Sequence, residues 1–242
     1  WDATVQKGSW LTKDVVLTAQ WEPNVYNITY FPNGGTIQGT YKSTYTVEDS
    51  FSHPDATLTG HEFAGWYTAS DFTGYSAGVE AGTTGHLTFY AKWTKNGYDY
   101  TVQYYYDGIE DETLRNHGTA EFGSFVDAFQ NKLKDGYRFD SVVGTTITTD
   151  VAANIVKVYY EKDDFGYCVE YYYDGILDAD ATVTDTEIFG ESIPHSEKAK
   201  DGFMLVAVEG GDKIVSSDAS SNVVRYYYET DLVGDDGPDE IP

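Results

Sequence analysis

Apolar and polar residues alternate with a period of two along most of the chain, and the alternation restarts three times. "YNITYFPNGG" from Tyr26, "YDYTVQYYYDG" from Tyr98 and "YCVEYYYDG" from Tyr167 each run into an Asn-Gly or Asp-Gly pair. Side chains that alternate faces and then meet a dipeptide able to adopt positive φ predict a strand entering a hairpin. Each stretch is followed by a middle strand, beginning at "GHEFAGWY", "DGYRFDSV" or "DGFMLVAV". A closing strand comes last: "LTFYAKW", "NIVKVYYE" or "NVVRYYYE". Helical spacing is scarce. The best candidate is Ser124 to Lys134, with Ser124 as N-cap and Phe125, Phe129 and Leu133 at i, i+4 and i+8. Its counterpart from Glu191 contains Pro194 and supports one or two turns at most.

The chain also matches itself. "YTVQYYYDGIEDE" from Tyr100 pairs with "YCVEYYYDGILDA" from Tyr167, "KDGYRFDSV" from Lys134 with "KDGFMLVAV" from Lys200, and "NIVKVYYEKD" from Asn154 with "NVVRYYYETD" from Asn222. A different repeat precedes these, in which "VLTAQW" ending at Trp21 matches "TFYAKW" ending at Trp93. The expected organisation is the tail of a preceding repeat at 1–21, a complete module at 22–94, two similar modules at 96–163 and 164–230, and an acidic linker at 231–242. Connections such as "TKNG" at Thr94 and "KDDFG" at Lys162 are short.

Residues 26–93 resemble the Listeria/Bacteroides-type repeat, also called the internalin B-repeat. The Asn33-Gly34-Gly35 turn, the Gly65-Trp66 pair and the closing Ala91-Lys92-Trp93 carry the likeness. The two later modules are similar to the MucBP (mucin-binding-protein) repeat, through "VQYYYDG" or "VEYYYDG", the glycine of "FGSFV" or "FGESI", the "DGY" or "DGF" step and the final "VYYE" or "RYYYE". These resemblances imply a mainly β protein, α+β at most, of tandem small β-grasp or ubiquitin-like modules in an elongated array. They further imply the ectodomain of a Gram-positive surface protein, extracellular and cell-wall-associated or secreted, with host mucin, glycans or glycoproteins as partners.

Period two sorts the tyrosines by face. Tyr100, Val102, Tyr104 and Tyr106 share the side expected to be core, as do Tyr167, Val169, Tyr171 and Tyr173. Tyr105 and Tyr172 point the other way, as do Tyr159 and Tyr227 in the closing strands, beside Lys157 and Arg225. If the opening and closing strands are neighbours, Tyr105 meets Tyr159 and Tyr172 meets Tyr227 on the outer face. Two readings stand. The outer tyrosines cover a one-sided sheet because tyrosine suits strands, or they form a platform for sugar rings or a host protein, with Tyr105, Tyr159, Tyr172, Tyr227, Lys157 and Arg225 as its contacts. Trp66, Trp93 and Trp21 are read as core or junction residues, because so small a module needs large side chains to make a core.

Composition narrows the partners. Forty acids against fifteen bases give a formal charge of -25. A surface of that sign repels phosphate backbones and anionic lipid, which argues against nucleic acid and direct membrane insertion. The single cysteine, Cys168, excludes an internal disulfide and falls on the outer face without an activating neighbour. His53, His61, His86, His117 and His195 are placed in loops or turns without metal-ligand spacing. The acid clusters near Asp178 and from Asp235 lack the spacing of a calcium loop. No nucleophile elbow, P-loop or dinucleotide fingerprint occurs. The expectation is therefore a non-catalytic, monomeric segment without cofactor or metal, acting as stalk and adhesion modules. The alternatives are accessory modules of a large extracellular enzyme or a spacer without ligand.

Overall fold

The computed structural model describes residues 18–231. The expected tail of a preceding repeat at 1–21 lies outside them except for its last four residues, and the expected acidic linker at 231–242 lies outside except for Asp231. The chain divides into two compact units: one built from residues up to Tyr98 together with Glu121–Gly123, the other from Asp99–Ala120 and the residues from Ser124 onward. Both are mainly β, with several sheets.

In the first unit the opening strand Tyr26–Phe31 runs parallel to the closing strand Leu87–Lys95, with Ile28 opposite Leu87 and Phe31 opposite Tyr90. The middle strand His61–Tyr67 pairs antiparallel with the closing strand, and short strands at Thr44–Tyr45 and Tyr75–Ser76 complete five. Inward residues Ile28, Tyr45, Trp66, Phe89 and Ala91 form the core with Ala56 and Val79. The Asn33-Gly34 turn has the expected positive φ at both residues, but no hairpin follows it. Thr36–Ile37 pairs instead with Ala56–Thr57, because the turn is tied to the closing strand. Asn33 Nδ2 donates to Ala91 O at 2.8 Å, Trp93 Nε1 donates to Pro32 O at 2.9 Å, and the Trp93 ring occupies the space a Cβ on Gly35 would need.

The second unit repeats one design twice. Gly97–Tyr106 is parallel to Ile155–Lys162, which is antiparallel to Tyr137–Val143; Asp164–Tyr173, Val223–Thr230 and Phe203–Glu209 are arranged likewise. Here the Asp107-Gly108 and Asp174-Gly175 turns do close two-residue hairpins onto Ile109–Glu110 and Ile176–Leu177. Single residues, Asn96 and Asp163, separate each closing strand from the next opening strand. Each middle strand carries a register shift, at Phe63/Gly65, Phe139/Ser141 and Leu205/Ala207.

The helix expected at Ser124 to Lys134 does not form. Phe125–Val126 pairs with Thr145–Thr146, and the residues after it cross the inner face as an irregular strap. The competitor that wins is the row of inward tyrosines. Tyr104 Oη donates to Gln130 O at 2.9 Å, Tyr106 Oη donates to Lys132 O at 2.5 Å, and Lys132 N donates to Tyr160 Oη at 2.9 Å. Backbone groups that a helix would satisfy internally are satisfied by phenols instead. The next copy repeats this, with Tyr171 to Ser196 O, Tyr173 to Lys198 O and Lys198 N to Tyr228 Oη. At the end of each strap a lysine lies over a tyrosine ring, Lys134 on Tyr106 at 3.8 Å and Lys200 on Tyr173 at 4.1 Å.

Just before each closing strand of the second unit sits a buried asparagine, Asn154 at 0% exposure and Asn222 at 1%. Asn154 Oδ1 accepts from the Thr148 backbone and hydroxyl, and Nδ2 donates to Thr148 O and Asp99 O. Asn222 does the same with Ser216 and Gly166. One amide side chain thus fastens the opening strand to the loop that leads into the closing strand.

Candidate functional site

Alternation and parallel pairing together create paired aromatics on the outer faces. Parallel partners in register point the same way, so Tyr105 stands directly opposite Tyr159 and Tyr172 opposite Tyr227. Their rings stack, with centroids 5.1 Å apart and planes at 24° in the first pair, and 5.3 Å and 21° in the second. All four are half-buried and lie on the outer face, as the alternation predicts. Each pair is bordered by a charged row. Lys157 Nζ lies 5.9 Å from the Tyr105 ring centre. Arg225 is held between Glu170, with Nε to Oε2 at 2.8 Å, and Glu209, with Nη1 to Oε2 at 3.6 Å.

The phenol groups are engaged by these neighbours. Tyr105 Oη donates to Gln103 at 2.8 Å, Tyr172 Oη to Glu170 at 3.1 Å, and Tyr227 Oη to Glu209 at 3.1 Å. Burial first, and the Glu209 carboxylate second, push the Tyr227 hydroxyl above its ordinary range, so it stays a neutral donor. Each half-buried ring pair is thus bordered by a cation, Lys157 or Arg225, and by the acceptors Gln103, Glu170 and Glu209. Small residues in the middle strands, Ser141 opposite Tyr159 and Ala207 opposite Tyr227, flank the rings on one side. Tyr159 also borders an open depression of about 580 Å³ lined by Asp107, Asp140, Glu161 and Glu191 with Lys162.

A third pair was not anticipated from the sequence. In the first unit Phe31 and Tyr90 stack on the outer face, 5.1 Å apart at 10°, with Phe31 44% exposed. The signal was present in the alternation of Tyr26, Ile28 and Tyr30 against Phe31, and of Phe89 and Ala91 against Tyr90. Glu170, Glu209 and Gln103 were missed too. Glu170 and Gln103 share an alternation face with their tyrosines, but only the middle strand's shifted register brings Glu209 opposite Arg225.

Two expectations are corrected here. Trp66 is core at 2% exposure and Trp93 packs against the same core, whereas Trp21 is 88% exposed and neither core nor junction. Residues 18–25 form no strand that could cover it. His61 and His117 lie in strands rather than loops: His61 opens the middle strand His61–Tyr67, within the "GHEFAGWY" stretch itself, and the strand at Asn116–Glu121 lies beyond the segments read as alternating. Among the described residues, no group of three or more His, Cys, Asp or Glu is placed to hold a metal ion, and no helix is long and apolar enough to cross a membrane.

Comparison with known proteins bears on the first unit most directly. The model of the Listeria-Bacteroides repeat domain matches residues 26–92, the stretch that forms the parallel-centred sheet of that unit. Residues 26–92 are thus similar to a repeat-domain module. Two proteins of Evansella cellulosilytica are similar to the chain. One, named as a candidate membrane protein, is 28% identical over 139 residues, 57% of this chain and 20% of the relative. The other, named as a candidate Gly-rich membrane protein, is 30% identical over 128 residues, 53% of this chain and 14% of the relative. The match spans a fifth or less of either relative's length.

Proposed function

We propose that this chain is a non-catalytic segment of an extracellular, cell-wall-associated or secreted bacterial surface protein, and that its stacked outer aromatics hold sugar rings of mucin-type glycans or glycoproteins. The observation that carries the reading is the recurrence of one arrangement in three sheets: an aromatic pair centred on the parallel strands, 5.1 to 5.3 Å between rings, always on the outer face. A flat ring face takes the C–H-rich face of a sugar, and carboxylates such as Glu170 and Glu209 accept its hydroxyls. Both later copies keep the tyrosine and glycine pattern that resembles MucBP repeats, and the parallel pairing of opening and closing strands supports a β-grasp-like relationship. Repetition would then supply avidity from weak single contacts.

A second reading, a spacer without ligand, is favoured by one observation. The hydroxyls of Tyr105, Tyr172 and Tyr227 are already bonded within the sheet, so the pairs are complete as strand packing.

The test is binding of the chain to immobilised mucin and a glycan panel, beside a Tyr105→Ser, Tyr172→Ser variant whose melting is unchanged. Binding weakened by about tenfold or more in the variant is the expected result, the loss of roughly one aromatic contact per copy. Absence of binding by both proteins makes the segment a spacer.

A further inference from the structure

The two copies in the second unit match strand for strand, yet their free edges are finished differently. Tyr137–Val143 and Phe203–Glu209 each end their sheet, paired on one side only among the described residues. They meet their closing strands in the same register: Arg138 stands opposite Glu161 and Met204 opposite Glu229, while Asp140 and Val206 occupy the shift. A free strand edge offers its backbone groups to any other strand, and charges and bulges on it keep other chains from pairing there. The earlier edge has both devices. Arg138 is ion-paired with Glu161 at 3.1 Å and Asp163 at 3.6 Å, and Asp140 is exposed.

The later edge keeps the bulge and carries no charge before Glu209. Met204 is 51% and Val206 46% exposed, and Ala207 and Val208 are exposed as well. Phe203 N donates to Lys200 O at 3.1 Å; from Met204 to Glu209 no backbone group bonds to a turn or loop among the described residues. With Met204 in the place of Arg138, the exposed Glu229 has no ion pair among the described residues, unlike its counterpart Glu161. An apolar, unguarded edge beside an unneutralised carboxylate has a definite complement. Residues 164–230 carry a formal charge of -10, so a second copy of this edge is repelled and a basic strand is attracted.

We propose that Phe203–Glu209 is an acceptor edge for an extended, basic segment of another protein, which adds to the sheet as a further strand. The segment's backbone pairs with the edge, its apolar side chains pack on Met204 and Val206, and a lysine or arginine reaches Glu229. This contact uses the backbone edge of the middle strand rather than the tyrosine rings, so it stands apart from the glycan reading.

The probe is a labelled, acetylated and amidated octapeptide of strictly alternating lysine and valine, titrated with the whole chain and followed by fluorescence anisotropy. It is expected to bind at least about tenfold more tightly than a peptide with the same residues in two blocks, and an alternating glutamate and valine peptide is expected not to bind. Amide exchange over 203–209 slows in the complex. A Met204→Arg, Val206→Asp variant installs the earlier copy's residues without changing net charge. It is expected to melt as the parent does and to bind the lysine and valine peptide about tenfold more weakly. The reverse exchange, Arg138→Met with Asp140→Val, is expected to add a second binding site. Equal binding of the block peptide, or undiminished binding by the first variant, reduces the contact to general charge attraction and overturns the proposal. Absence of binding by the alternating basic peptide overturns it too. Self-association of the chain alone that the first variant abolishes makes the occupant a second copy, which also overturns it.

Discussion

At the scale of single residues, the tyrosine triplets divide into two jobs according to which face each ring takes. Tyr104 and Tyr106 point inward, where their hydroxyls hold the strap; Tyr105 points outward, where its ring stacks on Tyr159. Tyr104→Phe removes bonds to Gln130 O and Asn116 Oδ1, and the second unit is expected to lose about 1–2 kcal/mol of stability in urea unfolding. Tyr105→Phe, which removes one bond to an outer glutamine, is expected to cost less than about 0.5 kcal/mol in the same assay. Asn154→Ala should be more damaging than either, at roughly 2–3 kcal/mol, since it removes a fully buried amide and its four bonds to Thr148 and Asp99 at once.

His53 is the residue that makes the first unit sensitive to acid. Ser76 Oγ donates to Gly78 O and so accepts from His53 Nε2, which leaves Nδ1 as acceptor for the Tyr30 hydroxyl. Burial holds the ring down to about 4 from its ordinary 6.5, and pushes the Tyr30 phenol up to about 12, with Tyr41 adding to the latter. The unfolded chain therefore binds the extra proton between those two pH values. Stability is fully present above about pH 6.5 and falls until about pH 4. Discounted for the water that reaches part of the ring, the loss is roughly 1–2 kcal/mol. Asp49, lowered first by its bond from Lys42, and Asp71, lowered first by Thr73, titrate beneath that window. Denaturant midpoints read by tryptophan fluorescence should drop between pH 7 and 4.5, and a His53→Gln variant should flatten that drop.

At the scale of elements, the strap shows why a helical spacing can be real and still not make a helix. Phe125, Phe129 and Leu133 recur at helical intervals, yet Phe125 and Leu133 are exposed and only Phe129 packs on the core. A short isolated helix gains little from its own hydrogen bonds, while three phenols bound to the crossing chain fix it in an extended form. Gly136 binds two elements in a similar way. Gly136→Ala introduces strain at positive φ and pushes Phe189 aside, so it should destabilise the second unit by about 1–2 kcal/mol, measured by urea unfolding. Gly175→Ala provides the comparison: it has the same sign of φ and open space, so the difference between the two variants reports the ring contact alone.

At the scale of the whole molecule, the residues offer separate reporters for the two units. Every tryptophan lies within residues 1–98, and among the described ones Trp66 is the buried one. Tryptophan fluorescence therefore follows the first unit, and Tyr104→Phe is expected to shift the tyrosine circular-dichroism transition while leaving the tryptophan transition in place. Acidity is also unevenly spread, with a formal charge of -5 over residues 22–94 and -10 over 164–230. Added salt should raise the melting temperature of the second unit more than that of the first, by screening self-repulsion.

Opening, middle and closing strands, the faces of the tyrosines and the repeat offsets were all readable in one dimension, because a strand's period of two is local and side chains answer to it directly. Asn154 and Asn222 stood in plain view at the head of each closing strand, but nothing in their spacing announced four bonds each. Contacts of that kind depend on which distant loop arrives beside them. The same holds for the strap that replaced the helix, the Phe31–Tyr90 pair, the exposure of Trp21 and the Phe189 ring on Gly136. Each is set by where a segment lies relative to another far along the chain, a long-range competition for burial and hydrogen bonds that only the tertiary structure resolves.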